Sequence, residues 1–144
     1  MDPYWTRAAR DFGGATAVLG GLYLQSRRFA EGEQLIDSGL ERLSSVIHQD
    51  PDNEPARFDM AETLSFVGRE ALSAARLPGL SIHERRNLLL RARRSWKECR
   101  QLLEEQTRAV PAADRGGWPW DRRWQADCQS EEADEALRAL SAAK

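Results

Sequence analysis

Two histidines, two cysteines and a pair of adjacent serines are the side chains whose types could support catalysis or metal binding. Ser44 and Ser45 precede His48 by four and three residues, so one helix could bring a hydroxyl to an imidazole base. That spacing is common by chance, and the sequence shows no third residue that would orient the histidine base. His48 and His83 are isolated, whereas a zinc site needs several ligands. We therefore expect no catalytic residues, no metal ligands, no cofactor and no enzymatic activity.

Cys99 and Cys128 lack the CxxC spacing of redox and zinc motifs. Cys99 falls where a helix needs a small buried side chain, which predicts a core thiol. Cys128 lies in an irregular segment, where exposure would make it the faster-reacting thiol. No signal-peptide pattern and no apolar run long enough to span a bilayer is visible. We expect free thiols, a cytoplasmic location and no membrane contact.

Basic residues form a stripe on the fourth expected helix: Arg86, Arg93, Arg94, Lys97 and Arg100. Such a stripe could bind phosphate, nucleic acid or an acidic peptide. The formal net charge of −2 and the pI of about 5.8 give nucleic-acid binding no overall support. Nearby Glu98, Glu104 and Glu105 favour a solvated, balanced face. A nucleic-acid or phosphate-binding accessory role is therefore the alternative function.

Three of the five tryptophans, Trp118, Trp120 and Trp124, lie within seven residues. The surrounding segment 111–129 contains glycines and prolines and predicts irregular structure. The indoles could cover an open end of a helical array. They could instead anchor a partner, because tryptophans are common interface hot spots.

Residues 2–12 and 50–60 are two copies of one pattern, 48 residues apart. Asp-Pro opens both copies, and the register extends to Leu19-Gly20, which falls on Val67-Gly68. A long internal repeat predicts stacked helical units, because one unit cannot bury its apolar face alone. Such arrays mostly present surfaces to partners, which favours binding over catalysis.

Caps, prolines and apolar spacing predict five helices. Asp2-Pro3 opens the first, which should end near Ser26. The others should cover about 29–48, 54–76, 81–108 and 131–142. We predict an all-α antiparallel helix-pair solenoid, with two long hairpins and a C-terminal capping helix.

The expected organisation is a single domain over residues 1–144. Repeat 1 covers 2–49, repeat 2 covers 50–110, an irregular segment covers 111–129, and the capping helix covers 130–142.

Four glycines lie inside the first expected helix, on two stripes: Gly13 with Gly20, and Gly14 with Gly21. Each costs about 1 kcal/mol relative to alanine in a helix, so we expect close backbone approach there. We predict Gly20 and Gly68 at helix contacts inside their units. Phe12, Thr16, Leu19 and Tyr23 form an apolar face of the first helix.

The chain resembles tetratricopeptide repeats. In that family the first helix of a unit carries Leu-Gly, followed three residues later by an aromatic or small residue. Leu19-Gly20 with Tyr23, and Val67-Gly68 with Ala71, match this pattern. The second helix carries a small, a bulky and a small residue. The matching sets are Gly32, Ile36, Gly39 and Ala92, Trp96, Cys99.

The unit of 48 residues exceeds the usual repeat of about 34. It resembles the long-repeat arrays that follow the kinase domain in many bacterial serine/threonine kinases. Val110-Pro111-Ala112-Ala113-Asp114 and the acidic last helix are similar to the end of those arrays. No kinase motif is present here. The resemblance implies a non-catalytic scaffold for protein–protein interaction, in a bacterial signalling protein.

In tetratricopeptide folds the first helix of each unit lines a concave groove. The resemblance implies a protein or peptide site formed by Gly14, Ala17, Gly21, Leu24, Glu62, Ser65, Arg69 and Leu72. The side of the first helix that carries Gly21 could also self-associate or pack on upstream repeats. Gly21→Glu is then predicted to disrupt that contact without unfolding the monomer.

Overall fold

The computed structural model describes residues 3–109 and 127–143. Within these residues the chain forms five helices: α1 (Pro3–Gln25), α2 (Phe29–Gln49), α3 (Glu54–Ala75), α4 (Ile82–Ala109) and α5 (Glu132–Ala142). The all-α class is confirmed. Every predicted helix is present in the described residues, with ends that agree to within about one residue.

Local capping groups fix several of these ends. The Asn53 side chain accepts a hydrogen bond from the backbone N–H of Ala56 at 3.0 Å and begins α3. A capping box forms at the start of α4, since the Glu84 N–H donates to Ser81 Oγ at 3.1 Å and the Ser81 N–H donates to Glu84 Oε2 at 2.8 Å. The hydrogen bond from the Ser81 backbone lowers the pKa of the Glu84 carboxyl. Ser130 Oγ accepts from the Glu132 N–H at 3.3 Å beside the start of α5.

α1 and α2 form a tight antiparallel hairpin whose backbones touch at two glycine pairs. A Cβ atom on Gly20 would lie 2.6 Å from the carbonyl oxygen of Gly32. A Cβ atom on Gly39 would lie 2.5 Å from the carbonyl oxygen of Gly13. Only glycine permits this approach, which confirms Gly20 as a contact within the first helix pair.

α3 and α4 form a second antiparallel hairpin, in which an indole packs against a helix backbone. The Trp96 ring lies against Gly68, and a Cβ atom there would be 2.3 Å from Trp96 Nε1. The indole N–H donates to the Ser65 carbonyl at 3.3 Å. Gly68 is therefore a helix contact, as predicted.

The two hairpins pack with α1 parallel to α3. Arg10 forms an ion pair with Asp59 at 2.5 Å near one end of the contact. Gln25 Nε2 donates to the Glu70 carbonyl at 2.9 Å near the other end. α2 also contacts α3, and α5 packs on α4. The described fold is thus two helix pairs followed by a terminal helix.

The face of α1 predicted from Phe12, Thr16, Leu19 and Tyr23 does not form the core. Phe12 is 57% exposed and Leu19 is 44% exposed. Ala17 and Leu24, on the glycine side of the helix, are fully buried instead. The glycine side lies inward because it lets α2 and α3 approach more closely than a bulky face would.

The two cysteines form a disulfide, so the prediction of free thiols is wrong. Cys99 and Cys128 are joined, with their Cα atoms 5.8 Å apart. Both residues are fully buried. The core position of Cys99 on α4 is confirmed, whereas the prediction of an exposed, faster-reacting Cys128 is wrong. The chain returns to α4 just before α5, which brings Cys128 into the core.

Candidate partner-binding surface

The concave groove predicted from the resemblance is largely filled by helix packing. Five of its eight positions are buried between helices: Ala17, Gly21, Leu24, Ser65 and Leu72. Gly14 is half-buried, and Glu62 and Arg69 are exposed. Because α1 and α3 pack directly against each other, the buried side chains cannot line an open peptide site.

Gly21 of α1 is covered by side chains of α3. A Cβ atom there would lie 3.1 Å from Cε1 of Phe66 and 3.4 Å from Cβ of Glu70, both on α3. Gly21→Glu would therefore disturb packing inside the molecule. The predicted self-association through Gly14, Ala17, Gly21 and Leu24 is not available to this side of α1.

The basic stripe of α4 borders a groove of about 940 Å³ between α2, α4 and α5. Arg93, Arg94, Lys97 and Arg100 line this groove, whereas Arg86 does not. Glu33, Glu84 and Asp134 line it too, and Arg93 lies 3.8 Å from Asp134. The lining therefore carries both signs of charge. Binding of phosphate or nucleic acid there stays a prediction.

Arg91, which the sequence analysis missed, lies at the bottom of this groove. Its side chain is 5% exposed and joins α4 to α2. Arg91 Nε donates to Glu33 Oε2 at 2.7 Å, and Nη2 donates to Asp37 Oδ1 at 2.7 Å. Burial acts to lower the pKa of Arg91, but the hydrogen bonds and charges of the two carboxylates outweigh it and raise that pKa. Arg91 is thus a structural cation.

We expect substitution of the cation and substitution of the two carboxylates in this ion cluster to lower the free energy of unfolding by different amounts. Arg91→Met removes the buried charge and keeps the aliphatic volume, so it should lower the free energy of unfolding by about 1 kcal/mol. Glu33→Gln combined with Asp37→Asn leaves the guanidinium buried without a counter-charge. Because both carboxylates are partly exposed, we expect a loss of about 2 kcal/mol. Urea titrations of the two variants provide the measurement, and the reverse order would contradict this account.

In the serine–histidine pattern, Ser45 is hydrogen-bonded to the backbone of its own helix. The Ser45 hydroxyl donates to the Glu41 carbonyl at 3.0 Å, within α2. His48 is exposed in the last turn of that helix. His83 lies 3.1 Å from the Asn87 side chain on α4. Across residues 3–109 and 127–143, no group of three histidine, cysteine, aspartate or glutamate side chains is arranged to hold a metal.

The outward side of α1 carries six exposed apolar residues, here called the outer stripe: Trp5, Ala8, Phe12, Ala15, Leu19 and Leu22. Among its large members, Trp5 is 66% exposed and Leu22 is 49% exposed. The members alternate by three and four residues, which places them on one helix face. This is the spacing of the a and d positions in a coiled coil.

The outer stripe lies opposite the glycine side that packs into the molecule. The Arg42 guanidinium lies 4.7 Å from the centre of the Phe12 ring, at the edge of the stripe. The described helices include none that is both long enough and apolar enough to cross a bilayer. A folded protein rarely exposes several large apolar residues along one helix face unless something packs there.

Sequence reasoning identified only Phe12 and Leu19 of this stripe. The missed signal was the regular three-and-four alternation from Trp5 to Leu22. It indicates that α1 is apolar on two sides, of which one faces the core and the other is exposed.

Trp118, Trp120 and Trp124 lie outside the described residues. Neither a protein-family model, nor a curated protein, nor a solved structure matches this chain.

Proposed function

We propose that this protein is a non-catalytic interaction module that binds a protein partner through the outer stripe of α1. The observation that carries the proposal is the exposure of Trp5, Phe12, Leu19 and Leu22 on one helix face. Covering such a face removes apolar area from water, at about 25 cal/mol per Å². The partner that fits this stripe is an apolar protein surface, such as one face of an amphipathic helix.

The arrangement of the helix pairs supports a tetratricopeptide-like module. The parallel packing of α1 and α3, and glycine contacts within the first pair, are consistent with stacked repeats. A scaffold role in a bacterial signalling protein belongs to this proposal. The cytoplasmic location remains a prediction, and the disulfide removes one argument for it, because disulfides persist mainly in oxidising compartments.

Site-specific photo-cross-linking in the cells that make the protein tests this function. A photoreactive residue at position 15, inside the outer stripe, should give light-dependent adducts that contain a protein. The matched control places the same residue at Ser44, an exposed position on α2. Absence of protein adducts from position 15, or equal adducts from both positions, would show that the stripe is not a docking surface.

A further inference from the structure

We propose that the occupant of the outer stripe is a second copy of this chain, with the two α1 helices packed antiparallel about a two-fold axis. The inference rests on the proposed function of the stripe and adds the identity and orientation of its partner. A helix face with a and d spacing is covered by another helix that presents the same spacing. The outer stripe is such a face, and a second copy supplies another.

The order of large and small side chains makes the stripe complementary to itself when reversed. With the two-fold axis midway between Phe12 and Ala15, each Phe12 ring meets Ala15 of the second copy. In the next layer, Leu19 meets Ala8 of the second copy. At each end, Trp5 meets Leu22 of the second copy. Large residues therefore fill the space left by alanines in the inner layers.

A parallel pair would pack poorly. It would place Phe12 against Phe12 and Ala15 against Ala15 of the second copy, and so alternate crowded layers with gaps. Cavities and overpacking both cost stability. A partner of a different sequence would not require the stripe to be self-complementary, so the size order favours a second copy over another protein.

The available area suits a reversible dimer. The exposed fractions of the four large residues correspond to about 450 Å² per copy. A symmetric pair would bury about 1,000 Å² with the alanines included, near the lower limit for specific interfaces. We expect dissociation in the micromolar range.

The charges that α1 itself carries beside the stripe do not oppose the pairing. The positions flanking it are Tyr4, Ala9, Asp11, Thr16, Val18 and Tyr23. Asp11 is the one charged residue in that set, and it lies 3.7 Å from Arg7 of its own helix. From α2, the Arg42 guanidinium also lies at the edge of the stripe, over the Phe12 ring. Among the flanking positions of α1, a reversed pair therefore brings no like charges together.

Sedimentation of the purified protein tests the dimer. The wild type should pass from monomer to dimer between about 1 and 100 µM, as expected for micromolar affinity. Ala15→Glu should weaken the dimer at least tenfold, because it places a charge in the central layer. Ala15 is exposed in the monomer, so the melting of dilute samples should not change. Ser44→Glu adds the same charge on α2 and should leave the dimer intact.

A wild type that remains monomeric at 100 µM would overturn the second copy as occupant. If position 15 nevertheless cross-links to a different protein in cells, the proposed function survives and only this inference fails. Equal weakening by Ala15→Glu and Ser44→Glu would also overturn it, because the effect would then come from net charge.

Disulfide trapping tests the orientation. A mixture of Ala8→Cys and Leu19→Cys proteins should form a mixed disulfide dimer under mild oxidation. Each variant alone should not, because two copies of position 8 lie about 16 Å apart along the axis of an antiparallel pair. The native cysteines are buried in their own disulfide and should not interfere. A dominant dimer of Ala8→Cys with itself would overturn the antiparallel arrangement.

Discussion

Replacing Gly68 with leucine is expected to lower the free energy of unfolding by about 3 kcal/mol or more. A single Cβ atom at this position would already lie 2.3 Å from Nε1 of Trp96. The indole cannot move aside cheaply, because it is 3% exposed and donates a hydrogen bond to Ser65. The α3–α4 pair must separate to admit the side chain, which is the cost of overpacking a core. Urea unfolding followed by circular dichroism measures the change.

Alanine at two glycines provides the control for this prediction. Gly14 lies in α1 with Thr63 Oγ1 at 3.6 Å from an added Cβ atom, an ordinary contact. Gly14→Ala should therefore be neutral or stabilise the helix by up to about 1 kcal/mol. Gly68→Ala should destabilise the protein. If both alanine variants shift the melting temperature in the same direction, the packing described for Trp96 is contradicted.

Reducing the disulfide between Cys99 and Cys128 is expected to lower the free energy of unfolding by about 3 kcal/mol. The bond closes a loop between residues separated by 29 positions, and it ties the chain entering α5 to the centre of α4. A cross-link of this span restricts the unfolded chain, which accounts for a stabilisation of about that size. Because both sulfurs are buried, reduction should require partial unfolding or high concentrations of reductant.

Unfolding in urea with and without a reducing agent measures this contribution. The double variant Cys99→Ala with Cys128→Ala is the control, since its midpoint should not respond to the reductant. Its stability should lie close to that of the reduced wild type, with a further small loss for the missing sulfur atoms. A wild-type midpoint that is identical under both conditions would contradict the contribution assigned to the bond.

The sequence by itself determined the helices and several residues at which they contact one another. Asn53 and the Ser81–Glu84 capping box form hydrogen bonds between residues three positions apart. The helix starts that they fix can therefore be predicted from the local sequence. The tetratricopeptide resemblance singled out Ile36 and Trp96 as the bulky residues of their helices, and both are buried. Gly20 and Gly68 were identified from the 48-residue register, which aligns the Leu19-Gly20 and Val67-Gly68 pairs.

The tertiary structure alone decided which side of α1 faces the core. That helix has two apolar sides, and local spacing favoured the one with Phe12 and Leu19. The opposite side is buried because glycines on both α1 and α2 allow the two backbones to touch. That contact depends on both segments, so it cannot be predicted from α1 alone. This choice leaves the outer stripe exposed, and the candidate docking surface exists because of it.

Contacts between residues far apart in the chain account for the remaining differences. Arg91 meets Glu33 and Asp37, which lie 58 and 54 positions earlier. The disulfide likewise depends on where the segment before α5 returns to α4. A helical pattern fixes neighbours three or four residues apart but does not fix how helices face each other. The packing of the helices against one another decides those meetings, and with them the charged cluster, the disulfide and the exposed stripe of α1.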